Sequence, residues 1–246
     1  MSFLVFDIET RADRGLIRAT RYRGQAISDT EAYTRFLEEI RQESDGRGDF
    51  LPLSYHIPVS IALGAVDDEY CLTAVDVLRA DEHGTDAIVR EFWGRLEAFQ
   101  GMLVSFNGRA FDLPVLELQA LRVGCSAPRY FTERDGFRSR YGRHLDLYDH
   151  LTNGGASRLR GGFDLVARLI GLPGKTDVSG ADVEALWEAG RYAEVHRYCR
   201  RDVIQTYYVL LHVERLRGRL SPGAVQRLEE LTRAFRAELE TDHAPV

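Results

Sequence analysis

The sequence predicts an α/β protein: a mixed β-sheet with the first strand at its centre, flanked by α-helices. Three observations predict it. An apolar strand opens the chain at 3–10, and two β-branched segments joined by an acidic turn follow at 56–77. Helix, strand and helix then alternate from 85 to 123, before a remainder that is mostly helical. A length of 246 residues with 44% hydrophobic and 28% charged residues suits a soluble globular protein with one sizeable core.

The first strand carries the sharpest signal. In Phe3-Leu4-Val5-Phe6-Asp7-Ile8-Glu9-Thr10, period two puts Leu4, Phe6 and Ile8 on one side and Val5, Asp7 and Glu9 on the other. Two carboxylates therefore share one face of an otherwise apolar strand. Unpaired buried charge is costly, so two readings stand. The strand end reaches solvent, or a hard divalent cation such as Mg²⁺ or Mn²⁺ sits between the two side chains.

Residues 11–50 are charged, with one short helix at Glu31–Gln42 whose stripe is Tyr33, Phe36, Leu37 and Ile40. The stretch reads as an insertion or flap with too few apolar residues for a core. His56–Val66 and Tyr70–Val77 form a hairpin across Asp67-Asp68-Glu69. Thr85–Phe99 is an amphipathic helix. Met102–Phe106 is a buried strand that ends at the turn pair Asn107-Gly108, and Leu113–Val123 is a helix stopped by Gly124. Arg143–Thr152 fits a short strand or a helix, and Asn153–Gly162 is a Gly- and Arg-rich loop. Phe163–Ile170, Ala181–Ala189 and the long Tyr192–Leu216 are helices, and Ser221-Pro222 opens a last one. Residues 1–217 are expected to form one domain, with 218–246 a C-terminal helix and tail packed on it.

Composition excludes several classes. No apolar run approaches about 18 residues and no basic-then-apolar leader is present, so neither a membrane span nor a secretion signal is expected. Cys71, Cys125 and Cys199 are odd in number and lack C-x-x-C spacing, which favours a reducing, cytoplasmic setting and disfavours zinc. A net charge of −6 argues against strong non-specific nucleic-acid binding.

Two further acids stand out. Asp112 precedes a helix with Pro114 in its first turn and suits an N-cap; the same junction also aims its carboxylate at the sheet edge that holds Asp7. In the long helix, Val195, Tyr198, Asp202, Thr206, Val209 and Val213 form one stripe, so Asp202 should face the core. A surface carboxylate would fall among Arg197, Arg200 and Arg201 instead. Either an arginine from elsewhere partners Asp202, or Asp202 binds something; the Tyr198 hydroxyl, one turn earlier, can address the same point.

Together, Asp7-Ile8-Glu9, the run Asn107-Gly108-Arg109-Ala110-Phe111-Asp112 and Tyr198-Cys199-Arg200-Arg201-Asp202 resemble the three exonuclease motifs of the DEDD superfamily, in its tyrosine subclass. More narrowly, the chain resembles the predicted 3′–5′ exonucleases related to the proofreading domain of family B DNA polymerases. Phe50-Leu51-Pro52-Leu53, His144-Leu145-Asp146-Leu147, Gly171-Leu172-Pro173-Gly174-Lys175 and Asp202-Val203 with Thr206-Tyr207 look like that group too.

The resemblance implies a ribonuclease H-like fold and two-metal hydrolysis of phosphodiesters at the 3′ end of single-stranded DNA or RNA. It implies two divalent ions, Mg²⁺ or Mn²⁺. Asp7, Glu9 and Asp202 would hold one, and Asp7 with Asp112, through water, the other; Tyr198 would orient the attacking water. Without metal, the four carboxylates should repel and at least one should have a raised pKa. Asn107, Arg109, Phe111, Asp146 and Lys175 are candidate substrate contacts. For Asp146 and His144 local bonding is an equal alternative, and Phe106 and Phe111 also suit the core. Two other functions stay open: an inactive nucleic-acid- or protein-binding module, and a hydrolase of very short oligonucleotides or small phosphodiesters.

Overall fold

The computed structural model describes residues 1–45, 50–174, 180 and 182–240. Five strands form one sheet: β1 (Phe3–Ala12), β2 (His56–Val66), β3 (Leu72–Arg79), β4 (Met102–Ser105) and β5 (His144–Asp146). Their order is β3-β2-β1-β4-β5, so the first strand is central, as expected. β1 pairs antiparallel with β2 and parallel with β4, and β5 continues parallel to β4. The expected α/β mixed sheet flanked by helices is what forms.

The alternation along β1 sorts two cores. Phe6 and Ile8 point to one face, beneath α4 (Thr85–Ala98) and α5 (Asp112–Val123), where they meet Ile88, Phe92, Trp93 and Leu116. Val5 points to the other face, with Ala62, Val203, Ile204 and Tyr207. Those last three belong to the long helix Tyr192–Leu216, whose bounds match the sequence reading.

That helix differs from its expected stripe. Residues 201–211 are buried all round, because the sheet covers one side and the C-terminal helices cover the other. Arg200 and Arg201, expected at the surface, are held by the last helix: Arg200 forms a two-pronged pair with Glu238, and Arg201 donates to the carbonyl of Leu239 at 2.8 Å. The single C-terminal helix expected from the sequence is two, Pro222–Leu231 and Arg233–Glu240. They part at Thr232, whose hydroxyl donates back to the carbonyl of Leu228 and whose own carbonyl accepts from the hydroxyl of Tyr208.

The 11–50 stretch also departs from expectation. It holds two helices, α1 (Arg14–Arg21), capped by Asp13, and α2 (Asp29–Glu43), capped by Ser28. Ala12, Ile17, Tyr22, Ala32, Phe36 and Leu51 close a small core of their own. The first helix escapes sequence reading because Leu16 and Ile17 are its only large apolar residues and the anchoring is non-local. Glu184 accepts from the backbone of Ala12 at 2.7 Å and pairs with Arg14 at 2.8 Å.

The remaining helices are α3 (Ala80–His83), α6 (Pro128–Thr132), α7 (Leu147–Leu151), α8 (Gly162–Leu169) and α9 (Val183–Glu188); the long helix is α10, and the final pair are α11 and α12. Arg143–Thr152, ambiguous in sequence, is both of its alternatives in succession, β5 then α7.

Close approach of α10 to the sheet depends on Gly64 in β2. A Cβ there would stand 2.9 Å from Val203 Cγ1 and 3.3 Å from Leu72 Cδ1. Gly64→Ala should therefore overpack this contact and cost about 1–3 kcal/mol, read as a lower urea midpoint at unchanged slope. An unchanged midpoint would mean that the helix yields without cost.

Candidate active site

β1 outruns its parallel partner. Pairing with β4 extends only to Val5, and β4 ends at Ser105, so Asp7 to Glu9 lie where the sheet divides, the usual place for a ligand. On the β2 side, register shifts between Glu9 and Thr10, with Thr10 opposite Pro58. A proline that cannot donate is tolerated at such a bulge, and the bulge re-aims the neighbouring side chain, here Glu9.

Across this end runs α10, which places Asp202 on the face of β1 that bears Asp7. Ligand oxygens of Asp7, Glu9 and Asp202 all lie within 4.8 Å of one another. Glu9 and Asp202 are only 7% and 8% exposed, and Asp7 is half-buried. Among the described residues, these three form the group of acidic, histidine and cysteine side chains spaced to share an ion. Hard oxygen donors on a stiff strand and a buried helix fit a divalent cation such as Mg²⁺ or Mn²⁺.

Asp112 stands beside this trio rather than in it. The expected N-cap does not form: Phe111 occupies the cap position without a side-chain bond, and Asp112 is the first helical residue. Its Oδ1 instead accepts from the backbone N–H of Ile8 at 3.1 Å, a donor that β4 does not reach. Burial pushes the Asp112 carboxyl up to about 7; hydrogen bonds from its own N–H and that of Ile8 pull the other way, while the charges of Asp146 and Asp202 add to the rise. A raised carboxyl is thus present, with burial rather than mutual repulsion as its main cause.

Tyr198 lies one turn before Asp202. Burial raises the pKa of its phenol, and the charges of Asp202, Glu9 and Asp7 raise it further, so it keeps its proton. Cys199, fully buried, has its sulfur 3.5 Å from the main-chain oxygen of Asp7.

The turn that carries the second motif is braced from below. Asn107 takes φ +66°, in the left-handed region. A Cβ on Gly108 would fall 2.5 Å from Ser105 Oγ, so the turn needs glycine there. Asp146 accepts from the backbone N–H groups of Asn107 at 2.9 Å and Arg109 at 2.8 Å, and it caps α7 through Tyr148 and Asp149. Considered from sequence as a substrate contact, Asp146 is turned inward on backbone donors, which is the local-bonding alternative. His144 bonds Ser105 Oγ at 2.9 Å, and burial holds it well below the ordinary imidazole pKa.

The guanidinium of Arg109 is likewise engaged internally: it donates to the carbonyls of Arg138 and His144 and stands 3.3 Å from Asp149. Lys175 lies outside the described residues.

Asp7, Glu9, Asp112, Tyr198 and Asp202 all line one cleft of about 450 Å³, with Asn107 and Phe111 at its wall. A second cleft of about 390 Å³ shares Asp7, Asn107 and Asp202 and extends past Tyr148 and Phe163. The carboxylates therefore sit where two clefts meet, open to a ligand longer than one small molecule.

Phe50 and Leu53, to which the sequence assigns no role, also line the first of these clefts. Phe50 is 67% exposed, stacked at 5.3 Å on His56 and 5.6 Å from Phe111. The signal available for them was the Phe50-Leu51-Pro52-Leu53 run.

Comparison with known proteins bears on the fold and the family. The family B DNA polymerase of the hyperthermophilic archaeon Pyrobaculum calidifontis superposes with a TM-score of 0.56 at 15% identity, over 87% of this chain and 24% of the polymerase. Exonuclease I in its apo form gives a TM-score of 0.45 at 12% identity, over 92% of this chain and 44% of its own. The chain thus spans less than half of either protein. No curated protein sequence matches it. At these identities the polymerase shows a shared fold, the ribonuclease H-like one. Residues 48–245 match the family described as predicted 3′–5′ exonuclease related to the exonuclease domain of PolB, and over four-fifths of its length the chain belongs to that family of exonuclease domains.

Proposed function

We propose that this chain is a metal-dependent 3′–5′ exonuclease that hydrolyses phosphodiester bonds at the single-stranded 3′ end of DNA or RNA. The observation that carries the reading is the meeting of Asp7 and Glu9 of β1 with Asp202 of α10, from opposite ends of the chain, within 4.8 Å in a cleft that Asp112 and Tyr198 also line. A binding module has no use for such a set. Polarity of digestion rests on family membership.

Asp7, Glu9 and Asp202 would hold one divalent cation, and Asp7 with Asp112 a second. Bound there, such ions favour a hydroxide-like nucleophile at neutral pH and neutralise charge on the leaving 3′ oxygen. The chain's own groups do the rest. Tyr198, protonated and beside Asp202, donates a hydrogen bond that orients the attacking water. Asp112 must give up its proton before it can act as a ligand. Phe111 and the exposed ring of Phe50 offer faces for a terminal base, which suits a single strand of any sequence. Asn107 stands at the junction of the two clefts, where a scissile phosphate would lie.

A 5′-labelled single strand incubated with Mn²⁺ should shorten from its 3′ end in single-nucleotide steps, with Asp7→Ala inactive. Wild-type protein no better than Asp7→Ala would overturn the proposal. Tyr198→Phe should lower kcat by about 10²-fold with metal binding unchanged.

Asp112 also predicts a pH dependence. Its carboxyl is raised in the fold from 3.8 to about 7. The unfolded chain therefore ionises first as pH rises, and the metal-free fold loses stability across that window. A divalent cation needs the ionised form. The Mg²⁺-induced rise in Tm should be larger at about pH 8 than at about pH 6, and Asp202→Asn should largely abolish it. Equal rises at both values in the wild type would remove Asp112 from the ligand set.

A further inference from the structure

Behind the carboxylates, three polar side chains from three elements form a chain. Ser60 in β2 bonds Nδ1 of His196 in α10 at 2.9 Å, and Nε2 of the same imidazole bonds Oδ1 of Asp81 in α3 at 2.6 Å. Ser60 and His196 are 0% and 3% exposed, whereas Asp81 reaches the surface. The arrangement has the composition of a hydrolytic triad, but a serine with no exposed surface cannot meet a substrate. Its position suggests another use. Ser60 is the register partner of Glu9, at the bulge. Three residues on from His196, Cys199 has its sulfur 3.5 Å from the main-chain oxygen of Asp7. Polar contact therefore runs from the surface carboxylate of Asp81, through α10, to the β2 residue paired with Glu9.

The surroundings are apolar: Val59, Val183, Val195 and the ring of Tyr198 pack together here, and the ring of Trp187 stands nearly perpendicular to that of His196. Apolar side chains tolerate small slides of a helix over a sheet, whereas a buried hydrogen-bonded chain is satisfied at one register only. A carboxylate can only accept, so Asp81 takes Nε2–H and leaves Nδ1 to accept from the Ser60 hydroxyl. His196 opens the α10 segment that continues through Tyr198 and Cys199 to Asp202.

We propose that Asp81, His196 and Ser60 are positioning residues: they lock α10 against β2, the strand paired with β1, so that Asp202 meets Asp7 and Glu9 at the spacing a divalent ion requires. The inference rests on the metal-centre reading above. Groups behind the ligands of a metal site commonly tune its affinity 10- to 100-fold or so.

The test uses Mn²⁺ alone as probe, with binding followed by the electron paramagnetic resonance of free Mn²⁺ and hydrolysis followed in parallel. Asp81→Ala, at the surface, should fold normally, weaken Mn²⁺ binding about tenfold and lower kcat with KM for the oligonucleotide unchanged. Asp81→Asn, whose amide oxygen still accepts from Nε2–H, should recover most of both losses. Ser60→Ala, a second route into the same chain, should behave as Asp81→Ala does. Mn²⁺ binding at the wild-type level in both Asp81→Ala and Ser60→Ala overturns the relay and leaves the metal centre standing. Wild-type protein that binds Mn²⁺ no better than Asp7→Ala overturns both.

Discussion

Everything in this molecule serves one unfavourable juxtaposition, the placing of three carboxylates within a few ångströms of each other in a largely buried cleft. Like charges so placed repel, and their desolvation adds to the cost. The surrounding structure over-determines them. Asp7 and Glu9 ride on the central strand of the sheet, paired on both sides from Phe3 to Val5 and with β2 along its whole length. Asp202 rides on the stretch of α10, residues 201–211, that is buried all round. Neither element can relieve the repulsion by moving alone without unpacking a core. Gly64 is part of the same constraint, because its missing side chain lets Val203, the neighbour of Asp202, settle onto the sheet.

The fourth acid shows how local preference yields to tertiary demand. By sequence Asp112 is an N-cap, and caps are worth about 1 kcal/mol. In the fold it forgoes that bond for the orphaned amide of Ile8, on the strand that carries Asp7 and Glu9. The exchange ties the second motif to the first. Asp146 supplies the capping that the sequence suggested for Asp112, but to α7, while its same two oxygens hold the Asn107-Gly108 turn in place. One carboxylate thus positions the second-motif loop from below, and the other aims from its end.

The arginines of the third motif are explained in the same way. Arg200 and Arg201 face away from the cleft and fasten α10 to α12 through Glu238 and the carbonyl of Leu239. The N-terminal flap is fastened comparably, through Arg14 and Glu184. Both peripheral segments are thus pinned to helices of the domain by charged side chains.

The sequence by itself determined the central strand, the hairpin, α4, α5 and the bounds of α10, because each is written in a local period of two or 3.6 with its own stop signal. It also marked three acids that the fold brings together: Asp7, Glu9 and Asp202 break apolar faces where a charge is out of place, a contradiction visible before any folding. Tertiary structure decided the rest. It split the C-terminal helix at Thr232, gave residues 11–50 a core, and engaged Arg109 and Asp146 in hydrogen bonds with the backbone. It also set Phe50 over the cleft and linked Asp81 to Ser60 through His196. Each of these depends on partners tens to more than a hundred residues away. A local pattern can show that a side chain needs a partner, but only the packed chain chooses which one.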